Sequence, residues 1–246
     1  MSGTARRAAA LDFAALPRER LEAMHDAAAT VLRCEAALRA SGMSVLSETL
    51  RDQGDFVVWE RYPRGDVFDA RSGAQYFYHA HAPDEMGETE NGHFHLFLRP
   101  WGADGDGPEP WRLPGARVPD DVQARFVHLA ALGVDATGKP LRWFTTNRWV
   151  TDETFIRASD AISLLDRFEI GLAYPNWAVS EWLGAMTRLY APQIGALLRL
   201  RDEAVEEWAA RHPGAQTLED RRLQNVSEIG IDLPAQIAAI EAALGL

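Results

Sequence analysis

A change of hydrophobic period along the chain is the strongest constraint on its fold. From Asp55 to Val150 apolar residues alternate with a period of two, while the segments on either side repeat at three and four. A period of two sends successive side chains to opposite faces of a strand. Five strands are predicted: Phe56 to Tyr62 (FVVWERY), Gln75 to His81 (QYFYHAH), Gly92 to Arg99 (GHFHLFLR), Arg125 to Val134 and Leu141 to Arg148. The stretch PWGADGDGPEPWRLPGARVPDD, rich in Gly, Pro and Asp, reads as a long surface loop between the third and fourth. Asp135 to Lys139 reads as a hairpin turn with a glycine bulge, because Gly138 takes positive φ at no steric cost.

Before the strands, Leu21, Met24, Ala28, Val31 and Leu38 mark one face of a helix from Pro17 to Ala40, with Gly42 at its end. After them the pattern is helical again. Thr151 caps a predicted helix through Phe155, Ile162, Leu165 and Phe168, and Asn176 caps another carrying Trp177, Trp182 and Met186. The two tryptophans read as core. Pro192 opens a helix ending near His212, Thr217 with Asp220 resembles a capping box for a helix closing at Gly230, and Asp232 caps Leu233 to Leu244. Segregated strands and helices predict an α+β fold. The expectation is an antiparallel meander of about five strands, an N-terminal helix and a helical C-terminal third packed on the sheet, in one domain over residues 1–246.

Composition narrows the function classes. Eight Trp, ten Phe and five Tyr in 246 residues supply apolar surface to bury, so disorder throughout is excluded. The net charge of −11 opposes nucleic-acid binding and an anionic membrane surface. Lys139 is the only lysine among 25 basic residues, as a GC-rich genome would give. The single cysteine, Cys34, excludes an intramolecular disulfide and Cys-based metal clusters. The N-terminal residues lack a sustained apolar core, and no apolar run approaches about 20 residues. A soluble cytoplasmic protein is expected.

Four of the seven histidines fall within seventeen residues, as two His-x-His pairs, His79/His81 and His93/His95. Residues two apart in a strand share a face. A hairpin symmetric about Met86–Gly87 sets His79 near His95 and His81 near His93, with all four imidazoles on one face. Tyr76, Tyr78, Ala80, Phe94, Leu96 and Leu98 then form an apolar face for helices. A slip of one residue would separate the pairs across faces. Imidazole is a common ligand for divalent transition metals, and two histidines with one carboxylate form a typical iron(II) site. Iron, manganese, nickel and zinc all suit the set. Asp84, Glu85, Glu88 and Glu90 in the connection offer carboxylates. The candidate metal ligands are therefore His79, His81, His93 and His95, with Glu85, and the candidate general bases are Glu90 and Glu88. Ligand imidazoles must be deprotonated, so affinity is expected to fall as pH drops through the range near 6.5.

Secondary candidates surround the hairpin. His128 opens the fourth strand opposite Thr146. Arg148 is a candidate for an anionic substrate group, or else pairs with one of the many acidic residues. Arg64-Gly65-Asp66 reads as a turn, Arg221-Arg222 is too short for a nucleic-acid patch, and Gly102 to Gly107 lacks the Gly-Lys-Ser/Thr ending of a phosphate loop.

Gly73, His79, His81, Glu85 and Gly92 match the first cupin motif position for position, and that resemblance implies His79, His81 and Glu85 as metal ligands. It covers about twenty residues. The second cupin motif is not found: Pro114-Gly115 lacks the histidine that should follow, and His128 stands too far on. Over most of its length the chain resembles an uncharacterised bacterial family known only as a domain of unknown function, through YHAHAPDE, GHFHLFLRP and TTNRWVTDETF. That resemblance implies no activity.

Three functions are consistent with the sequence. The first is a metal-dependent enzyme acting on a small molecule. The second is a non-enzymatic scaffold whose histidine-lined face or helical third binds a partner. The third is a structural protein whose histidines bond one another. An open pocket at the histidines favours the first, and a closed four-ligand site the second.

Overall fold

The structure, a computed structural model, describes residues 5–81 and 89–246. Its frame is a sheet built from β1 (Arg6–Arg7), β2 (Tyr62–Phe68), β3 (Ala74–His79), β4 (Gly92–Leu98), β5 (Val127–Val134), β6 (Pro140–Thr146) and β7 (Asn225–Gly230). The order across the sheet is β1-β7-β6-β5-β4-β3-β2. The meander from β2 to β6 is antiparallel, as the alternation predicts. Among the described residues the sheet has seven strands rather than five, and it is mixed, because β1 lies parallel to β7.

Three expectations fail on backbone conformation. Thr151, expected to cap a helix through Phe155, instead ends the short helix Arg148–Thr151, and the next helix starts only at Ala158. The first predicted strand, 56–62, starts only at its last residue. Ahead of it, the Val57 N–H donates to the Tyr62 hydroxyl at 2.6 Å and the Trp59 N–H to Ala80 O at 2.8 Å. Phe56, Val57, Val58 and Trp59 are exposed, and Trp59 has φ +70°, outside extended geometry. The predicted helix from Thr217 to Gly230 is instead one 3-10 turn, Thr217–Glu219, followed by strand β7. There Ser227 is buried, its hydroxyl donating to Leu197 O at 2.8 Å and meeting Thr145 Oγ1 at 2.7 Å. A buried seryl hydroxyl needs such partners, and the strand conformation supplies both. Arg64-Gly65-Asp66 lies within β2 at a break in its register, with Gly65 and Asp66 both at positive φ.

Helices cover one face of the sheet. They are α1 (Arg18–Ala40), α2 (Val45–Leu50), α3 (Arg148–Thr151), α4 (Ala158–Leu164), α5 (Trp177–Leu189), α6 (Ala191–Arg211) and α7 (Leu233–Leu244). The apolar face read for α1 is buried, and α1 packs on α5 and α7. Asn176 and Asp232 cap α5 and α7, accepting from the N–H groups of Ala178 and Ala235. Short α2, capped by a Ser44–Ser47 box, has too few residues for a periodic signal. Trp182 is buried as read, whereas Trp177, in the first turn of α5, is exposed.

The predicted apolar side of the His hairpin meets this layer. Tyr76, Tyr78, Phe94, Leu96 and Leu98 are buried; Tyr76 Oη lies 3.2 Å from Ser180 Oγ, and the Phe94 ring lies against Trp182. The histidines are therefore left on the other side of the sheet. No helix among the described residues is long and apolar enough to cross a membrane.

Candidate metal centre

The histidine side of the sheet is built by parity. Phe77 and His79 on β3, His93, His95 and Phe97 on β4, His128 on β5, and Arg142 and Phe144 on β6 share this face. His79 pairs with His93 and Phe77 with His95. The expected pairing of His79 with His95 is corrected by a slide of two residues. A slide of two preserves the face, so the histidines still converge. His128 joins them through the irregularity at Leu96/Phe97, which pairs Phe97 with His128.

The nitrogens meet closely. His79 Nε2 lies 2.8 Å from His93 Nε2 and 3.3 Å from His81 Nε2. One ligand atom from each of His79, His93 and His95 fits within a mutual distance of 4.8 Å. His93, His95 and His128 are buried; His79 and His81 are half-buried. Phe77, Phe97 and Phe144 wall the group, with ring contacts to His79, His95, His93 and His128.

A second layer turns these rings. Glu90 Oε1 lies 3.2 Å from His93 Nδ1, and its Oε2 accepts from Arg142 Nε at 2.6 Å. Arg142 is itself tied to Glu228 at 3.0 Å and lies over the Phe144 ring. Gly133 makes room for this carboxylate, since a Cβ there would sit 3.0 Å from the Glu90 carboxyl carbon. His95 Nδ1 lies 3.0 Å from His128 Nε2, whose Nδ1 is 3.4 Å from Thr146 Oγ1. A chain in which His95 Nδ1–H donates to His128 and His128 Nδ1–H to Thr146 leaves His95 Nε2 free. A hydrogen bond that holds one ring nitrogen and leaves the other for a cation is the common arrangement around a metal-bound histidine. The His128 backbone N–H donates to the buried carboxyl of Glu153 at 2.8 Å.

Burial keeps these rings neutral. It pushes His79 down to about 2, His128 to about 3 and His81 to about 4. His93 and His95 also fall below the usual value, with burial as the main cause. Burial opposes ionisation of Glu90, but hydrogen bonds from His93 and Arg142 outweigh it and hold the carboxyl below its ordinary range. Glu153 is pushed up to about 7 by burial, against the pull of Arg201. A buried set of neutral imidazoles beside an anionic carboxylate is chemically suited to a divalent cation.

Of the remaining candidates, Glu85 and Glu88 lie outside the described residues. Arg148 is buried away from this group of rings, ion-paired with Asp152 at 2.8 Å and with Glu219. Sequence reasoning passed over Arg142 and Trp59. Arg142 was legible in principle, since it stands two residues before Phe144 in a predicted strand.

A family model described as a domain of unknown function, DUF6969, matches residues 25–231. The chain belongs to this family. The match runs from within α1 to just past β7 and so includes every histidine of the centre. No curated protein and no solved structure matches the chain.

Proposed function

We propose that the chain is a divalent-metal protein and a metal-dependent enzyme for a small molecule, with His79, His93 and His95 as ligands. One observation carries this reading: one ring nitrogen from each of His79, His93 and His95 lies within 4.8 Å of the others, with His79 Nε2 2.8 Å from His93 Nε2. A neutral imidazole carries one lone pair on its unprotonated nitrogen, so three neutral rings brought together offer a convergent donor set. A shared cation satisfies all of the lone pairs. Ligands at 2.0–2.1 Å from a metal stand roughly 2.8–3.4 Å apart in octahedral or tetrahedral arrangements, and the 2.8 Å between His79 and His93 falls in that range.

The donor set is nitrogen-rich and carries no thiolate, which suits iron, manganese, nickel or zinc. Three protein ligands leave a position for substrate or water, the pattern of catalytic sites. A cation there would supply Lewis-acid polarisation of a bound oxygen. Glu90 then acts as a positioning residue: both its oxygens are engaged, one orienting His93 and the other anchored by Arg142. His128 positions His95 in the same way. The Phe77, Phe97 and Phe144 rings give the histidines an apolar surrounding, in which electrostatic interactions are stronger than in water.

A second reading rests on His81, whose Nε2 is 3.3 Å from that of His79. As a fourth ligand it would close the set and make the centre structural, serving a scaffold. Elemental analysis of protein purified without a histidine tag tests the shared part. One equivalent of a transition metal per chain supports it, and metal-free protein that takes up none on reconstitution contradicts it.

A further inference from the structure

Two side chains that the metal reading does not use border the histidines. Tyr62 pairs with Tyr78, and the Trp59 N–H donates to Ala80 O, so the chain ahead of β2 keeps running beside β3. That brings Trp59 alongside His81 and Arg61 alongside Phe77 and His79. The Trp59 indole stacks on the His81 ring at 4.0 Å and 29°, and meets His79 edge-on at 6.2 Å. Trp59 is nonetheless 52% exposed, and its φ of +70° is a conformation that a bulky residue adopts only when surroundings hold it there.

Arg61 is seated as firmly. Its guanidinium carbon lies 4.3 Å above the Phe77 ring, whose centroid is 5.6 Å from that of His79 and 5.1 Å from that of His95. Stacking fixes the guanidinium plane and leaves its edge donors for another group. Among the described residues its one ion pair is with Asp66, at 3.6 Å, and that carboxylate oxygen already accepts from Gln75 at 2.7 Å. Arg142, across the site, is by contrast committed to Glu90 and Glu228. The Arg61 side chain is 56% exposed.

We infer that the centre takes a small carboxylate with a flat apolar body, its carboxylate held by Arg61 and its body lying on Trp59. This rests on the metal reading, since a cation held by the histidines would share the carboxylate with Arg61. A single guanidinium matches a monoanion. Glu90 and Glu228 behind the histidines, and a net charge of −11, disfavour a phosphate dianion.

The test uses the full chain loaded with zinc, titrated by calorimetry with benzoate, benzyl alcohol and acetate. Zinc uptake is measured first. If the wild-type chain takes up none, the metal reading falls, and this inference with it. If zinc binds, benzoate is expected to bind at least about tenfold more tightly than benzyl alcohol, which lacks the charge-assisted hydrogen bonds to Arg61, and more tightly than acetate, which lacks the ring that lies on Trp59. Arg61→Gln should lose at least about tenfold in benzoate affinity without losing zinc, since removing a cation does not weaken cation binding. Trp59→Ala should bring benzoate towards acetate. Zinc-loaded wild type that ignores benzoate, or prefers benzyl alcohol, overturns the inference whatever the variants do. So does an Arg61→Gln protein that retains zinc and binds benzoate as wild type does.

Discussion

Glu90 and His93, three residues apart, face each other at 3.2 Å between Oε1 and Nδ1. With Nδ1 occupied, His93 has only Nε2 to offer, and Nε2 is the atom that meets His79. The carboxylate thus sets which nitrogen faces the centre, from a strand entry made permissive by Gly133 on the neighbouring strand.

Glu90→Gln keeps the shape and removes the charge. Metal affinity, measured by competition with a chromogenic chelator, should fall roughly 10–100-fold, the usual effect of losing an outer-shell carboxylate. An unchanged affinity would mean that Glu90 does not orient a ligand.

The buried histidines alter the expected pH dependence. Sequence alone places the loss of metal affinity near pH 6.5. The folded values of about 2 for His79 and about 4 for His81 move it down. Affinity of the native protein should stay nearly flat from pH 7 to about 5. Loss of half the affinity gradient already by pH 6 would show that the rings titrate as exposed ones do.

The metal-free protein pays for that neutrality in its stability curve. Each depressed histidine binds a proton in the unfolded chain first, so its contribution is complete above about pH 6.5 and is lost as pH falls towards the folded value. The slope is up to about 1.4 kcal/mol per pH unit for each such histidine. Glu153, raised to about 7, acts oppositely between its unfolded and folded values, but it is one group against several. Urea midpoints of metal-free protein should therefore fall from pH 7 to pH 5, and a constant midpoint would contradict the burial of the cluster.

On the other side of the sheet, Phe94 is fully buried against Tyr76, Tyr78 and Trp182. Phe94→Ala should cost about 3–5 kcal/mol in urea unfolding. His81→Ala should cost much less, and under the enzyme reading it should keep the metal. Loss of metal in His81→Ala would favour the closed, four-ligand scaffold.

Much of this was legible in local pattern. Alternation through Tyr76, Tyr78, Phe94 and Leu96 fixed which face met the helices, and the spacing of His79, His81, His93 and His95 fixed which did not. The register was harder, because a slide of two leaves the pattern of faces unchanged and only inter-strand bonds distinguish the alternatives. β7 was read as helix because Thr217 and Asp220 carry a capping signature, while the partners that hold Ser227, namely Leu197 and Thr145, lie far off in sequence. The role of Glu90 was hidden for the same reason: its anchor, Arg142, is 52 residues away.

The most direct measurement is the thermal melting curve of tag-free protein with chelator, and then with iron, manganese, nickel or zinc, at neutral pH. With free metal a hundredfold above its dissociation constant, the folded state should gain roughly 2.7 kcal/mol. That gain should vanish in the double variant His79→Ala, His81→Ala and survive in His212→Ala, whose ring is bonded to Trp208 O outside the centre. Identical curves for the wild-type protein with chelator and with every metal would contradict the account.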